Sequence, residues 1–221
     1  MRITDVKVVE APLTPHMSNA VIDFSRMTVS LVAVHTDAVV DGEPVVGYGF
    51  SSNGRYAQTG ILTERLLPRL HAADPADLRQ SETGVLDPVA VRHVVMADEK
   101  PGGHGDRAVA VGTLDMAMWD AASKAQGKPL HEMLRDRFRP DAVLPDSVWV
   151  YAAGGYYRQE DDDLRALQQG GCESYPYVFE PFGGFADETP VEEGRVALPD
   201  APGIGIEHKS ALRKLIDERL R

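Results

Sequence analysis

The segment 100–134 constrains the fold more than any other part of the chain. It begins as a loop, because Pro101 and the glycines that follow it interrupt regular helix. From Asp106 onward, small and apolar residues recur at steps of three and four, the spacing that lines one face of a helix. These residues are Val111, Leu114, Met118, Ala121, Ala122 and Ala125. Gly127 and Pro129 end the helix. Its alanine-rich face predicts close packing against a neighbouring element.

The residues before this segment predict a sheet followed by helices. Runs of alternating or β-branched residues indicate strands at 3–9, 28–34 and 45–50. Asp41-Gly42 is typical of a hairpin turn between the second and third strands. The segment 61–70 favours a helix, and Asp87 can cap a second helix that reaches about Met96. A three-stranded antiparallel sheet with several helices makes an α+β fold.

The residues after Arg135 are less regular. The short apolar run 147–155 indicates a buried strand, and 161–168 favours a short helix. Proline, glycine and aromatic residues crowd the stretch that follows, and a brief strand is predicted within 194–207. The charged, amphipathic segment 209–220 predicts a final helix.

Composition excludes several classes of partner. The 221 residues carry a net charge of −11, which disfavours nucleic acid and anionic membranes, since both require clustered Lys and Arg. No apolar run is long enough to span a bilayer. The charged N-terminal residues lack the apolar core of a signal peptide, so we expect a cytoplasmic protein. Cys172 is the only cysteine, which excludes an internal disulfide.

Several stretches resemble one known family. The run AVGTLDMAMWDAASKAQGKPLHEML resembles the signature that closes the N-terminal capping domain in the mandelate racemase and muconate lactonizing branch of the enolase superfamily. With DEKPGGHGDR in front of it, the chain is most similar to the D-tartrate dehydratase family. The stretches SNAVIDFSRM, GYGFSSNGRY and VYAAGGYY agree with that choice.

The resemblance implies two parts of the chain. Residues 1–137 would form the enolase-like capping domain, and residues 138–221 would be an incomplete remnant of an α/β barrel. A complete barrel needs about 250 residues, whereas only 72 follow Trp149. The remnant would hold the first barrel strand and the C-terminal return segment, joined near 164–171. We therefore expect no closed barrel.

The same resemblance implies a chemistry that depends on Mg²⁺. Enzymes of this superfamily remove a proton next to a carboxylate with a base on a barrel strand, and Mg²⁺ stabilises the resulting anion. After Gly155 the chain has no Lys-x-Lys pair and no spaced Asp/Glu series typical of the base and the metal ligands. The adjacent carboxylates 161–163 point in different directions and favour a solvated helix start. No metal ligand is assigned.

Five residues are candidates for the substrate side of a site. Lys100 resembles a lysine that assists departure of the substrate hydroxyl and is assigned as catalytic and substrate-binding. Asn19 and Asn53 lie in stretches that resemble the specificity loops, and Tyr156 and Tyr157 follow the first barrel strand. Ordinary structural roles also explain each of them: a solvated lysine, turn-forming asparagines and packed tyrosines.

Other motifs are weaker. His104 lacks a companion nucleophile and favours loop packing. Cys172 lacks a companion histidine. Gly203-Ile204-Gly205 lacks the third glycine of a dinucleotide-binding loop and resembles the family's C-terminal return instead.

Two hypotheses about function remain. The first is a D-tartrate dehydratase-like carbon-oxygen hydro-lyase, which converts a 2,3-dihydroxy dicarboxylate into a keto acid; the isolated chain would be inactive and would bind a tartrate-like hydroxy acid weakly at best. The second is a non-catalytic capping module that pairs with itself or with a full-length relative. Because the predicted strand 148–153 would lack neighbours, we expect a homo-oligomer.

Overall fold

The structure is a computed structural model. It describes residues 1–16, 18, 21–54, 57–100, 105–152, 172–174 and 179–220. Within them, no helix is long and apolar enough to cross a membrane.

The first sheet has the predicted three strands in the order β1-β2-β3, all antiparallel. They are β1 (Ile3–Pro12), β2 (Thr28–Val40) and β3 (Glu43–Gly54), each longer than its sequence pattern indicates. Asp41 and Gly42 connect β2 to β3 with φ angles of 52° and 86°. Two consecutive positive φ angles in a two-residue loop match a type I′ turn, so the predicted hairpin is confirmed.

Six helices are described. They are α1 (Ala57–Ile61), α2 (Leu67–Ala72), α3 (Pro88–Val95), α4 (Gly105–Ala125), α5 (Leu130–Phe138) and α6 (Ser210–Arg219). A π-helical turn, Leu62–Leu66, joins α1 to α2. Asp87 caps α3 by accepting from the Val89 and Ala90 amides, as predicted. The helix α5 was not predicted, and it begins directly after Pro129.

The first sheet is covered on both faces. Its α4-facing side belongs to a core that includes Val32, Val34, Leu114 and Met118. The opposite face packs against α6 through a second cluster, which contains Val29, Leu31, Ala33, Leu212, Leu215 and Ile216. The predicted α+β capping fold is therefore present, and the C-terminal helix completes its second face.

A smaller sheet follows, with the strand order β5-β4-β6. The strand β4 (Ser147–Ala152) pairs parallel with β5 (Cys172–Ser174) and antiparallel with β6 (Arg195–Ala197). The expectation that this strand lacks neighbours is wrong, because the return segment supplies β6. The division of the chain near residue 137 stays a prediction.

Candidate functional site

The direction of α4 sets where the candidate site lies. A Cβ atom added to Gly49 would meet Thr113 of α4, and one added to Gly47 would meet Ala117 and Ala121. As β3 advances from Gly47 to Gly49, its neighbours on α4 therefore move toward the N-terminus of the helix. The two elements are antiparallel, and their backbones lie in direct contact because both strand residues are glycines.

This direction brings three chain segments to one end of the sheet. Gly105 starts α4 about 12 Å beyond Thr113 at the helical rise, and Gly54 ends β3 about 17 Å beyond Gly49 at the strand rise. The end of β3 pairs with Thr28, which in turn pairs with Pro12. The connection from β1 to β2, the end of β3 and the start of α4 therefore share one edge.

Three arginines converge on Glu99 at this edge. Arg65 donates from Nε and Nη2 to the two carboxylate oxygens at 2.7 and 2.6 Å. Arg69 donates to Oε1 at 2.8 Å, and Arg107 donates to Oε2 at 2.8 Å. The Glu99 side chain is 1 % exposed. Hydrogen bonds from Arg69 and Arg65, opposed by burial, lower the pKa of Glu99 to about 2.

The same cluster fixes the backbone of Lys100. Nη1 of Arg107, which is bonded to Glu99, also donates to the Lys100 carbonyl oxygen at 3.1 Å. The Arg107 side chain is 8 % exposed, whereas Lys100 is exposed to solvent. The backbone of Lys100 is thus anchored by Arg107, while the residue as a whole is exposed to solvent. An ammonium in this position can pair with a carboxylate or polarise a leaving oxygen.

A second polar cluster lies at the base of the β1–β2 connection. Glu10 accepts from the amide and the hydroxyl of Thr59 at 2.9 and 2.6 Å, which ties α1 to the sheet. The adjacent Gln58 is fully buried, and neither of its amide atoms has a hydrogen-bond partner among the described residues. Sequence reasoning missed Gln58, because a glutamine in a helix is ordinarily solvated.

The C-terminal return segment is bound to α4 by a third cluster. Asp120, which is fully buried, accepts from the amides of Tyr48 and Ile204 at 2.8 and 2.6 Å and from Lys124 Nζ at 2.7 Å. Lys124 also pairs with Glu207. Burial acts to lower the pKa of Lys124, but Asp120 and Glu207 outweigh it and raise that pKa. Through Ile204, the Gly-Ile-Gly motif therefore docks the C-terminal return segment onto α4.

The structure describes some of the predicted site residues. Lys100 is described in full and lies at the shared edge. Asn53 belongs to β3, but the description covers only its backbone. Asn19, Tyr156 and Tyr157 lie outside the described residues, as does His104.

The donor groups that the structure describes do not form a metal site. In that part of the chain, no three His, Cys, Asp or Glu side chains are grouped so that they could hold a metal ion. Glu99 and Asp120 are already bonded to cationic side chains. Mg²⁺ requires carboxylate oxygens that are free to coordinate it, so the described residues do not fit the metal that the resemblance implies.

Comparisons with known proteins identify the family of the N-terminal domain. The family model "Mandelate racemase / muconate lactonizing enzyme, N-terminal domain" matches residues 3–134. Among solved structures, the chain is similar to a mandelate racemase/muconate lactonizing enzyme-like protein from Rubrobacter xylanophilus, with 22 % identity and a TM-score of 0.49 over 71 % of this chain and 38 % of that one. For 2-chloromuconate cycloisomerase from Rhodococcus opacus 1CP, the identity is 15 % and the TM-score 0.43, over 69 % and 37 %.

A mandelate racemase/muconate lactonizing enzyme from Sulfitobacter sp is similar at 15 % identity, with a TM-score of 0.45 over 69 % of this chain and 33 % of that one. The chain thus spans well under half the length of these three relatives.

Proposed function

The chain belongs to the mandelate racemase / muconate lactonizing enzyme family through its N-terminal domain, and on that premise we propose that it is a substrate-capping module of the D-tartrate dehydratase type. Its ligand would be a 2,3-dihydroxy dicarboxylate, and the reaction it serves is dehydration of that acid to a keto acid. The observation that carries the proposal is the anchored, solvent-facing Lys100 at the edge where the loop ends meet.

The chemistry of Lys100 suits such a ligand. An ammonium group pairs with one substrate carboxylate and can donate a proton to a departing hydroxyl group. Side-chain amides of Asn19, which lies between β1 and β2 in the sequence, and of Asn53, near the end of β3, would bond the substrate hydroxyls. Tyr156 and Tyr157 would lie at the mouth of the site. Lys100 contributes one positive charge to this edge, which can pair with one of the two carboxylates although the whole chain is acidic.

The chain by itself would bind but not turn over this ligand. Acid–base assistance by one residue supplies about 10²- to 10⁴-fold, whereas enzymatic accelerations begin near about 10⁶-fold. A family hydro-lyase also needs a base on a barrel strand and carboxylates for Mg²⁺, and we propose that the middle of that barrel is missing between residues 164 and 171. We expect no specific Mg²⁺ binding by the isolated chain.

Titration with D-tartrate tests the proposal. We expect weak binding by the chain and about fivefold weaker binding by the Lys100→Ala variant, because an exposed ion pair contributes up to about 1 kcal/mol. The matched control is Lys214→Ala, which removes an equally charged side chain that is 77 % exposed on α6. Equal losses in both variants would indicate non-specific attraction and contradict the proposal.

A second candidate function is association with another chain of the same fold. The small sheet ends in two strands of three residues each. On β4, Trp149 is 57 % exposed, and the Arg195 guanidinium lies 4.6 Å from the centroid of its ring. Tryptophan and arginine side chains are frequent anchors of interfaces, and Trp149 is the exposed one of this pair. We propose a homo-oligomer formed through this sheet. Sedimentation of a clean monomer at micromolar concentration would contradict it.

A further inference from the structure

We propose that Arg107 is the positioning residue for Lys100. Its guanidinium links the first turn of α4 to Glu99 and to the Lys100 carbonyl, so that the Lys100 ammonium group is presented from a fixed backbone. This inference deepens the proposed function and rests on it only for the ligand that Lys100 meets.

The contacts of Arg107 join two chain segments that the sequence separates. Arg107 belongs to the first turn of α4, while its Nη1 donates to Glu99 at 2.8 Å and to the Lys100 carbonyl at 3.1 Å. The residues it grips precede it by eight and seven positions. One side chain therefore links the start of α4 to Glu99 and Lys100, and because it is 8 % exposed, water competes little for its donors.

The backbone turns sharply just ahead of Lys100. Asp98 has a φ angle of 60°, so the chain turns through a left-handed residue just before Glu99. The Glu99 amide donates to the Met96 carbonyl at 3.2 Å, within the turn after α3. Beyond that turn, the Lys100 carbonyl is held by Arg107.

The three arginines around Glu99 differ in their other hydrogen-bond partners. Arg65 donates both of its bonds to the Glu99 carboxylate, and Arg69 joins that carboxylate to the Val95 carbonyl at the end of α3. Arg107 alone, among the contacts of these three with described residues, reaches the backbone of Lys100. Arg65 therefore provides a control of equal charge, because it donates to Glu99 as Arg107 does but makes no described hydrogen bond to Lys100.

A fixed backbone matters because the lysine side chain is long and flexible. Each freely rotating group that a ligand must immobilise weakens binding, and an anchored backbone reduces that cost before the ligand arrives. Arginine suits this role better than lysine, since its planar donor fork is pre-organised and loses less conformational freedom for each hydrogen bond formed.

The first test measures the order of the Lys100 amide by ¹⁵N relaxation. In the unaltered chain we expect an order parameter near the rigid value of about 0.85, and in Arg107→Ala a value below about 0.6. The Arg65→Ala control should keep the rigid value. If Arg107→Ala does not fold, Arg107→Lys keeps the charge beside Glu99 and should still lose order at Lys100. A rigid Lys100 amide in the folded Arg107 variants would overturn the inference.

The second test is a double-variant cycle of D-tartrate affinity. Arg107→Ala should weaken binding about as much as Lys100→Ala, about fivefold, and it should change nothing further once Lys100 is alanine. A full additional loss in the Lys100→Ala background would mean that Arg107 acts on the anion directly, and would overturn the inference. If the unaltered chain binds no D-tartrate, the proposed function fails, and the relaxation test alone decides the role of Arg107.

Discussion

Replacing Gly49 by alanine tests the close contact between α4 and the sheet. An added Cβ would lie 2.9 Å from the Ala117 nitrogen and 3.0 Å from the Thr113 carbonyl carbon, with the Thr113 oxygen nearer still. These are backbone atoms of one helix, so no side chain can rotate away. Restoring ordinary contacts of about 3.5 Å would require α4 to withdraw by on the order of 1 Å.

The expected cost follows from measured overpacking. Forcing a methyl group into a packed interior destabilises a protein by about 1–3 kcal/mol. For a chain of this size, each kcal/mol lowers the melting temperature by about 2–4 °C. We therefore expect Gly49→Ala to melt between about 2 and 12 °C below the unaltered chain, as followed by circular dichroism.

The matched control is Gly112→Ala, within α4 itself. A Cβ there meets nothing within 4 Å, and alanine is favoured over glycine inside a helix by about 0.5–1 kcal/mol. This variant should melt at or above the temperature of the unaltered chain. If Gly49→Ala is as stable as Gly112→Ala, the helix does not lie against β3 as described, and the placement of Lys100 at the loop edge loses its support.

Three further predictions concern the ion clusters and the hairpin. Because the pKa of Glu99 lies well below its ordinary value of 4.5, the ionised carboxylate stabilises the fold, and this stabilisation should be lost as pH falls from about 4.5 to about 2. The difference in melting temperature between the unaltered chain and Glu99→Gln should therefore shrink over that interval. Lys124→Met should cost on the order of 3–5 kcal/mol in urea unfolding, because it leaves the Asp120 carboxylate buried without its cation, and adding Asp120→Asn should recover much of this. Gly42→Ala should cost about 1 kcal/mol, because φ is 86° at that residue.

Local signals in the sequence predicted much of the fold. The Asp41-Gly42 turn, the Asp87 cap and the spacing of apolar residues in α4 each depend on neighbours within a few positions, and the structure contains all three. The amphipathic pattern of 209–220 likewise predicted α6. These elements depend on local backbone preferences and on a single apolar face, and both can be recognised from the spacing of residues in the sequence.

Contacts between distant residues could not be predicted in this way. The hydrogen bond from Arg107 to Glu99 depends on a turn of the chain, and the sequence shows only two charged residues eight positions apart. The pairing of β4 with β6 joins residues 148 and 196. The short helix α5 was missed because Pro129, which ends the α4 pattern, also lies immediately before α5.

Keto-acid production from D-tartrate with added Mg²⁺ tests the central claim most directly. We propose that this chain supplies the substrate-facing Lys100 but neither the base nor the metal ligands, so the purified chain should yield no keto acid above the uncatalysed rate. Turnover that requires Mg²⁺ and disappears in the Lys100→Ala variant would contradict the account, because the chain would then carry a complete catalytic site.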